Sequence, residues 1–418
     1  MPKDTNWTAP APETREALMA GLIPTELHRY SIGDIGRGLI AARTPVGSQA
    51  MISLPGLGDG IPVRSARVAV IVALQALGLP AGSRIGVPLY CCPVVFKAIK
   101  AAGCVPRFLD IDPGTFCLSL QDLRAKRPGL DALIAVHMFG NLCDMPEILD
   151  IMSGKPVIED CAQSLGSRLG GRSCGSFGDI AFFSFRSGKY LTAGEGGALY
   201  SGKTDLSARL AHLIESLPVP TRVDETKHVL ATYLRSKLRS RPWWGLVGSR
   251  IWAVYNKKTE FADKSPIVPG RIFAADLATI RRRMPELDSM IGAQRAHAEY
   301  FARHLQVGPR MLCVEKPLAF YNRFMYPIIF PSTEERDRMA TFLQNRGIGT
   351  ARPYEEVITG AAGHYAYAGD CPSAERTLRR TLVIPGFSSL AAKDIRRIVR
   401  GVNQGYAETM KGNGASPA

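Results

Sequence analysis

Lys189 lies in the run Asp179-Ile-Ala-Phe-Phe-Ser-Phe-Arg-Ser-Gly-Lys189-Tyr-Leu-Thr-Ala-Gly-Glu-Gly-Gly197, a short distance after Val157-Ile-Glu-Asp160-Cys-Ala-Gln163. An acid closes one apolar run, and a serine and a lysine follow at the end of the next. These residue types suit pyridoxal phosphate. That cofactor needs an amine to form its imine, a carboxylate to keep its pyridine nitrogen protonated, and donors for its phosphate. Each residue also has a plainer reading. A lysine in a Gly-flanked loop is usually solvated, an Asp after a strand is often a helix N-cap, and Ser184 alone is a polar filler between two phenylalanines. The joint spacing is what favours chemistry.

Elements must bring these residues together. Pro156 to Asp160 reads as a short buried strand, and Ile180 to Phe185 as a second. Short apolar runs separated by helical stretches are typical of parallel sheets covered on both faces. Ligands on such sheets sit beyond the carboxyl ends of the strands. Asp160, Ser184 and Lys189 all fall at those ends.

The stretch from Val157 to Gly197 resembles the DegT/StrS family of sugar aminotransferases. The matching residues are Glu159-Asp160-Cys161-Ala162-Gln163, Gly175-Ser-Phe-Gly178-Asp179, Ser184-Phe185, Lys189 and Gly194-Glu195-Gly196-Gly197. A looser likeness runs from about residue 60 to about 400. The resemblance implies an α/β protein with the type I fold of pyridoxal-phosphate-dependent transferases. A mainly parallel sheet would form the large domain, with a smaller C-terminal α+β domain. It makes Lys189 the Schiff-base lysine and proton shuttle, pairs Asp160 with the pyridinium nitrogen, sets Gln163 near the ring hydroxyl, and gives Ser184 to the cofactor phosphate. It also implies a homodimer with the active site at the interface.

The chain departs from the family in places. The first phosphate loop reads Arg64-Ser65-Ala66-Arg67, where the family has Ser-Gly-Thr/Ser. A helix starting there still offers free N–H groups to an anion. Arg67 is free to bond the phosphate, to meet a substrate carboxylate or to lie on the solvent face, and the sequence leaves the three open. The family stacks an aromatic ring on the cofactor after its Val-Pro strand end. Here, after Val87-Pro88, Tyr90 is the one ring at hand, two positions early by alignment, which would put Cys92 at the stacking position. Both cysteines of the Cys91-Cys92 pair also suit small apolar core sites. Gly386 follows Pro385 where the family often has His.

Bulk properties describe an ordinary soluble enzyme: 418 residues, 46% hydrophobic and 21% charged, long enough for one large domain and a smaller one. Nine cysteines without a pairing pattern point to a reduced, cytoplasmic compartment. No Cys or His spacing suggests a metal. No apolar signal core opens the chain, and no window approaches the roughly 20 apolar residues of a membrane span.

The net charge is +15. The window 227–258 holds eight Lys and Arg residues and no acid, with Trp243, Trp244 and Trp252 among them. It reads as an insertion relative to the family. Basic residues interleaved with Trp fit a peripheral contact with an anionic membrane. They also fit an acceptor-binding surface, or a helical hairpin packed on a dimer partner. No nucleic-acid motif accompanies them.

The expected organisation is an N-terminal arm over 1–35, a large cofactor-binding domain over 36–270 with the insertion at about 203–270, a small C-terminal domain over 271–412 and a disordered tail over 413–418. The expected reaction is transfer of an amino group from an amino acid, L-glutamate first, to a keto acceptor, a nucleotide-linked keto-sugar by family resemblance. Dehydration, decarboxylation or carbon–carbon bond formation on a non-sugar or lipid-linked acceptor stays open, as does a non-catalytic scaffold that binds an anionic surface.

Overall fold

A computed structural model describes residues 21–26, 29–47, 49–248 and 266–411. Its main sheet has eight strands: β1 (Ile52–Leu54), β2 (Gly58–Val63), β3 (Arg84–Pro88), β4 (Val105–Leu109), β5 (Ala132–Val136), β6 (Val157–Asp160), β9 (Ile180–Ser184) and β10 (Gly197–Tyr200). Two-residue strands β7 (Arg168–Leu169) and β8 (Arg172–Ser173) stand apart from it. The order across the sheet is β1-β2-β10-β9-β6-β5-β3-β4. From β9 to β4 all neighbours are parallel, while β10 runs antiparallel to both β9 and β2. β5 and β6 are buried at every position. That is why they read as continuous apolar runs: helices cover both faces.

The helices start where the sequence offers caps. α1 (Ile32–Ala41) has a capping box between Ser31 and Asp34, and α2 (Ala66–Ala76) is capped by Ser65. α3 (Pro93–Ala101), α4 (Leu120–Lys126) and α5 (Met145–Ile151) join the parallel strands, and α6 (Thr204–Glu215) packs on α2. α7 (Arg222–Leu238) carries a second capping box, Thr221 with Asp224. α8 (Ala274–Arg283) and α9 (Leu287–His304) are separated by a single turn at Pro285, since proline cannot donate to the helix ladder.

The C-terminal part holds a two-stranded antiparallel pair, β12 (Tyr326–Ile329) with β13 (Thr381–Ile384). β11 (Ala319–Phe320) joins β7 instead. α10 (Thr333–Gln344), α11 (Val357–Tyr365), α12 (Pro372–Arg380) and α13 (Ala392–Lys411) complete this part. Its own core includes Ile328, Met339, Leu343, Leu382 and Ile398. α10 ends with Gly347 in the left-handed region at φ 67° just beyond.

The structure bears on two of the expected segments. The stretch before residue 35 is no loose arm over its described part: Leu22, Ile23 and Tyr30 are buried, and α1 runs across the expected boundary. These apolar residues find partners far away in sequence, which composition alone does not reveal. The described part of the basic segment, 227–248, is mostly helix, in keeping with the helical alternative. α7 turns Glu225, His228, Val229, Thr232 and Ser236 inward and leaves Val223, Leu230 and Leu234 exposed. Residues 249–265, with Trp252, and the tail 412–418 lie outside the described residues.

One carboxylate couples the two parts. Asp110, just past β4 and almost fully buried, accepts the N–H groups of Ser373 at 3.0 Å and Ala374 at 2.6 Å. Those are first-turn donors of α12, whose own cap residue Cys371 provides no side-chain bond. An anion there satisfies open N–H groups and the helix dipole together. Asp110→Ala is therefore expected to destabilise the fold by about 2 kcal/mol, the cost of leaving buried donors unpaired. Denaturant unfolding of both forms checks this.

Candidate functional site

Parallel neighbours bring the expected residues side by side. Asp160 stands opposite Phe182 in the β6–β9 register, so Asp160 ends one strand and Ser184 ends the next just beyond it. Alternation along β6 sends Glu159 and Asp160 to opposite faces.

Glu159 is the anchor of the pair. Its Oε2 meets His137 Nε2 at 3.0 Å and the Gly175 N–H at 2.8 Å, and its Oε1 accepts from Phe177 and Gly178, both at 2.7 Å. His137 Nδ1 accepts the Cys143 N–H at 3.2 Å, which leaves Nε2 to donate to Glu159. Burial opposes the Glu159 charge. The His137 hydrogen bond and the Gly178 and Gly175 N–H groups outweigh it and hold the carboxyl below its usual range.

Asp160 is placed differently. One oxygen accepts the Ala162 N–H at 2.9 Å, and no ion-pair partner reaches it among the described residues. Burial raises its pKa, against the pull of that N–H and of the Lys189 charge. A buried carboxylate without a cation is costly, and it is suited to receive one.

Lys189 sits on a loop that folds back on itself. Ala193 N–H donates to the Phe185 carbonyl at 2.9 Å, and Thr192 Oγ1 donates to the Lys189 carbonyl at 2.8 Å. Buried Arg283 donates to the Thr192 carbonyl and pairs with Asp34 at 3.0 Å. The Lys189 amine lies 4.9 Å from the centre of the Phe324 ring. Burial, then repulsion from Arg186, brings its pKa from 10.5 down to about 8. A lysine shifted in this sense is neutral, and nucleophilic, across a pH range in which an ordinary one is charged.

The start of α2 closes against the loop after Lys189. Ser65 bridges to Gly196 and caps its own helix through the Val68 N–H at 3.4 Å. A Cβ on Gly197 would stand 2.8 Å from the Ala66 nitrogen and from the Ser65 carbonyl carbon. Only glycine permits that approach, which accounts physically for one glycine of the Gly194-Glu-Gly-Gly run. Gly194 has φ 122°, and its Cβ would meet Thr232, His228 and Asp276 within 3.0 Å.

Some expected ligands stand elsewhere. Arg67 donates to Glu195 at 3.3 Å, and Arg64 approaches the same carboxylate at 3.7 Å, so the Arg67 charge is engaged beside the loop. Tyr90 is wholly buried, with Phe116, Phe139 and Tyr354 edge-on at 5.4, 6.0 and 6.1 Å. Cys92 precedes α3 half-buried, and its thiol feels the charges of Arg186, Lys189 and Asp160. Gln163 accepts the Phe139 N–H at 3.0 Å and donates to the Tyr354 hydroxyl at 3.0 Å.

Tyr354, Phe324, Arg186, Arg283 and Asp34 are site residues that sequence reasoning missed. All but Arg186 come from segments far from Lys189 in the chain. Only the capping-box spacing Ser31 to Asp34 hinted that the early residues are ordered.

The whole arrangement now meets its relatives. The chain matches the model of the DegT/DnrJ/EryC1/StrS aminotransferase family over residues 49–242 and 245–403. It belongs to that family. It is 27% identical over 379 residues, 88% of each chain, to the UDP-N-acetyl-3-dehydro-alpha-D-glucosamine 3-aminotransferase of Acidithiobacillus ferrooxidans. It is 26% identical to the GDP-perosamine synthase of Vibrio cholerae, covering 80% of this chain and 83% of that one. The structure of DesV from S. venezuelae superposes with a TM-score of 0.69 and 25% identity, covering 90% of this chain and 94% of DesV. The doubly wound sheet and the aminotransferase assignment follow from these matches. No helix among the described residues is long and apolar enough to cross a membrane.

The Lys189 amine should titrate as placed. Its reaction with an amine-selective acylating reagent, followed by peptide mass spectrometry, is expected to rise with a midpoint near pH 8. Arg186→Gln should move that midpoint upward, because a repelling positive charge is removed. A midpoint near 10.5 in the wild type would contradict this.

Proposed function

We propose that this aminotransferase uses pyridoxal phosphate to move an amino group from an amino acid, L-glutamate first, to the ketone of a nucleotide-linked sugar. The observation that carries the reading is the depressed amine of Lys189, on the loop that follows β9, together with a buried Asp160 at the end of the neighbouring strand that has no ion-pair partner among the described residues.

The donor set fits the cofactor. Lys189 offers an amine for its aldehyde. Asp160 offers a carboxylate for the protonated ring nitrogen. Ser184 and the open N–H groups at the start of α2, next to Ser65 and Ala66, offer donors for its phosphate. Gln163, fixed by Phe139 and Tyr354, would line the ring's flank, and Cys92, close to the charges of Arg186, Lys189 and Asp160, would take the stacking position. Bound there, pyridoxal phosphate supplies an electron sink for the carbon that loses its proton.

The chain's own residues do the rest. With the cofactor bound, the Lys189 amine would be the base that takes the donor's α-proton and returns it at the neighbouring carbon. A pKa of about 8 suits that double duty at neutral pH. Arg283 and Thr192 hold the Lys189 backbone in place. Asp160 keeps a positive ring nitrogen paired in a buried setting. The acceptor class rests on the relatives, which by name act on UDP- and dTDP-linked keto-sugars. Since those relatives aminate different ring positions at similar identity, the position on the sugar is left open. The working unit is read as a homodimer on the family resemblance.

Absorbance spectroscopy tests this. Wild-type protein with pyridoxal phosphate should gain a visible band that L-glutamate bleaches. Lys189→Ala should lack it and lose turnover by at least about 100-fold. Full turnover in that variant would overturn the reading.

A further inference from the structure

A cavity of about 510 Å³ opens beside Lys189. Much of its wall comes from residues before position 49, where the family match begins: Thr25, Glu26, Arg29, Tyr30, Asp34 and Arg37. The segment is fastened there at several points. Ile23 donates to the Gly347 carbonyl at 2.9 Å and accepts from Gly349 at 2.8 Å. Tyr30 N–H donates to Ser236 Oγ of α7 at 2.9 Å. Asp34 pairs with Arg282 at 2.8 Å and Arg283 at 3.0 Å.

The wall is unbalanced in charge. Among the described residues it presents, besides Lys189, Arg29, Arg37, Lys237, Arg282 and Arg283, against Glu26, Asp34 and Glu286. Asp34 is shared among three guanidinium groups, those of Arg37, Arg282 and Arg283. Arg283 is buried and also serves the Thr192 carbonyl. Arg37 and Arg282 are 54% and 38% exposed and keep donors to spare. A guanidinium has five N–H donors in a fork that matches phosphate oxygens. Leaving Lys189 aside, the five remaining cations exceed the three carboxylates by two, which matches the charge of a diphosphate diester, one negative charge on each phosphate.

We propose that Arg29, Arg37 and Arg282, with Lys237 of α7, form an anion subsite that takes the phosphate groups of the acceptor. It rests on the reading that the acceptor enters at Lys189. The N-terminal segment thus selects the acceptor, while the strand ends perform the chemistry. It also gives the basic α7 a task at the cavity, through Ser236 and Lys237. Oxyanions could come from the acceptor's phosphates or from the carboxylates of the amino donor, and the subsite is assigned to the phosphates.

Calorimetric titration of the full-length protein, saturated with pyridoxal phosphate, tests this. The probes are inorganic pyrophosphate and, separately, glutarate, each at low and raised salt. The variants are Arg29→Gln with Arg37→Gln, Lys237→Gln alone, and Arg168→Gln with Arg172→Gln as a charge-matched change on another face. Thermal melts check that each folds. Pyrophosphate affinity is expected to fall at least tenfold in the first variant, to fall in the second, to hold in the third, and to weaken with salt.

Equal losses in both double variants would overturn the subsite, as would no pyrophosphate binding by the wild type. A loss confined to glutarate would assign the arginines to the donor instead. The visible band of bound pyridoxal phosphate is read in the same samples. Its presence without arginine-dependent binding sinks the subsite alone. Its absence, with that binding intact, sinks the aminotransfer reading and leaves the subsite standing.

Discussion

The buried carboxylate of Glu159 is the constraint on which the site depends. It gathers one imidazole and three backbone N–H groups from the chain that leads into β9. That fixes the chain end of β6 against the start of β9. A strand's alternation then does the rest, because the next residue along must face the other way. Asp160 is turned away from that network because Glu159 is held within it. Had the two carboxylates exchanged roles, the satisfied one would stand where a cation is needed and the needy one would be sealed among the N–H groups.

Lys189 shows the same division between holding and reacting. Its backbone is tied down by Thr192, and through Thr192 by Arg283 and Asp34, while its amine is kept in surroundings that disfavour charge. A stiff backbone with a reactive tip is the arrangement that lets one side chain serve at two neighbouring atoms. The cost falls on the fold, which must enclose an ionisable amine beside Arg186. That cost is offset by the extensive apolar core beneath the sheet.

Much of this was legible in the sequence, and for an identifiable reason. Asp160, Gln163, Ser184 and Lys189 lie within one stretch of chain, so spacing and strand pattern fix their relation. Tyr90 could not be read in this way. Whether a ring after a strand end faces a ligand or Phe116 and Phe139 depends on residues far along the chain. Tyr354 and Asp34 were missed for the same reason. Arg67 was ambiguous because Glu195, its partner, lies 128 residues away. The early segment misled most: its polar, proline-containing composition concealed Ile23 and Tyr30, whose burial exists only through contacts with the opposite end of the chain and with α7.

The placement of that early segment has a consequence for how such proteins diversify. The side chains proposed for the chemistry come from the strand ends and the loop after β9, and part of the cavity wall comes from a strap joined to them through a few hydrogen bonds and one shared carboxylate. Insertions and replacements in the strap leave the registers of β6 and β9 untouched. New clientele can therefore be acquired by changes around Arg29 and Arg37 of that segment, with the strand ends inherited intact.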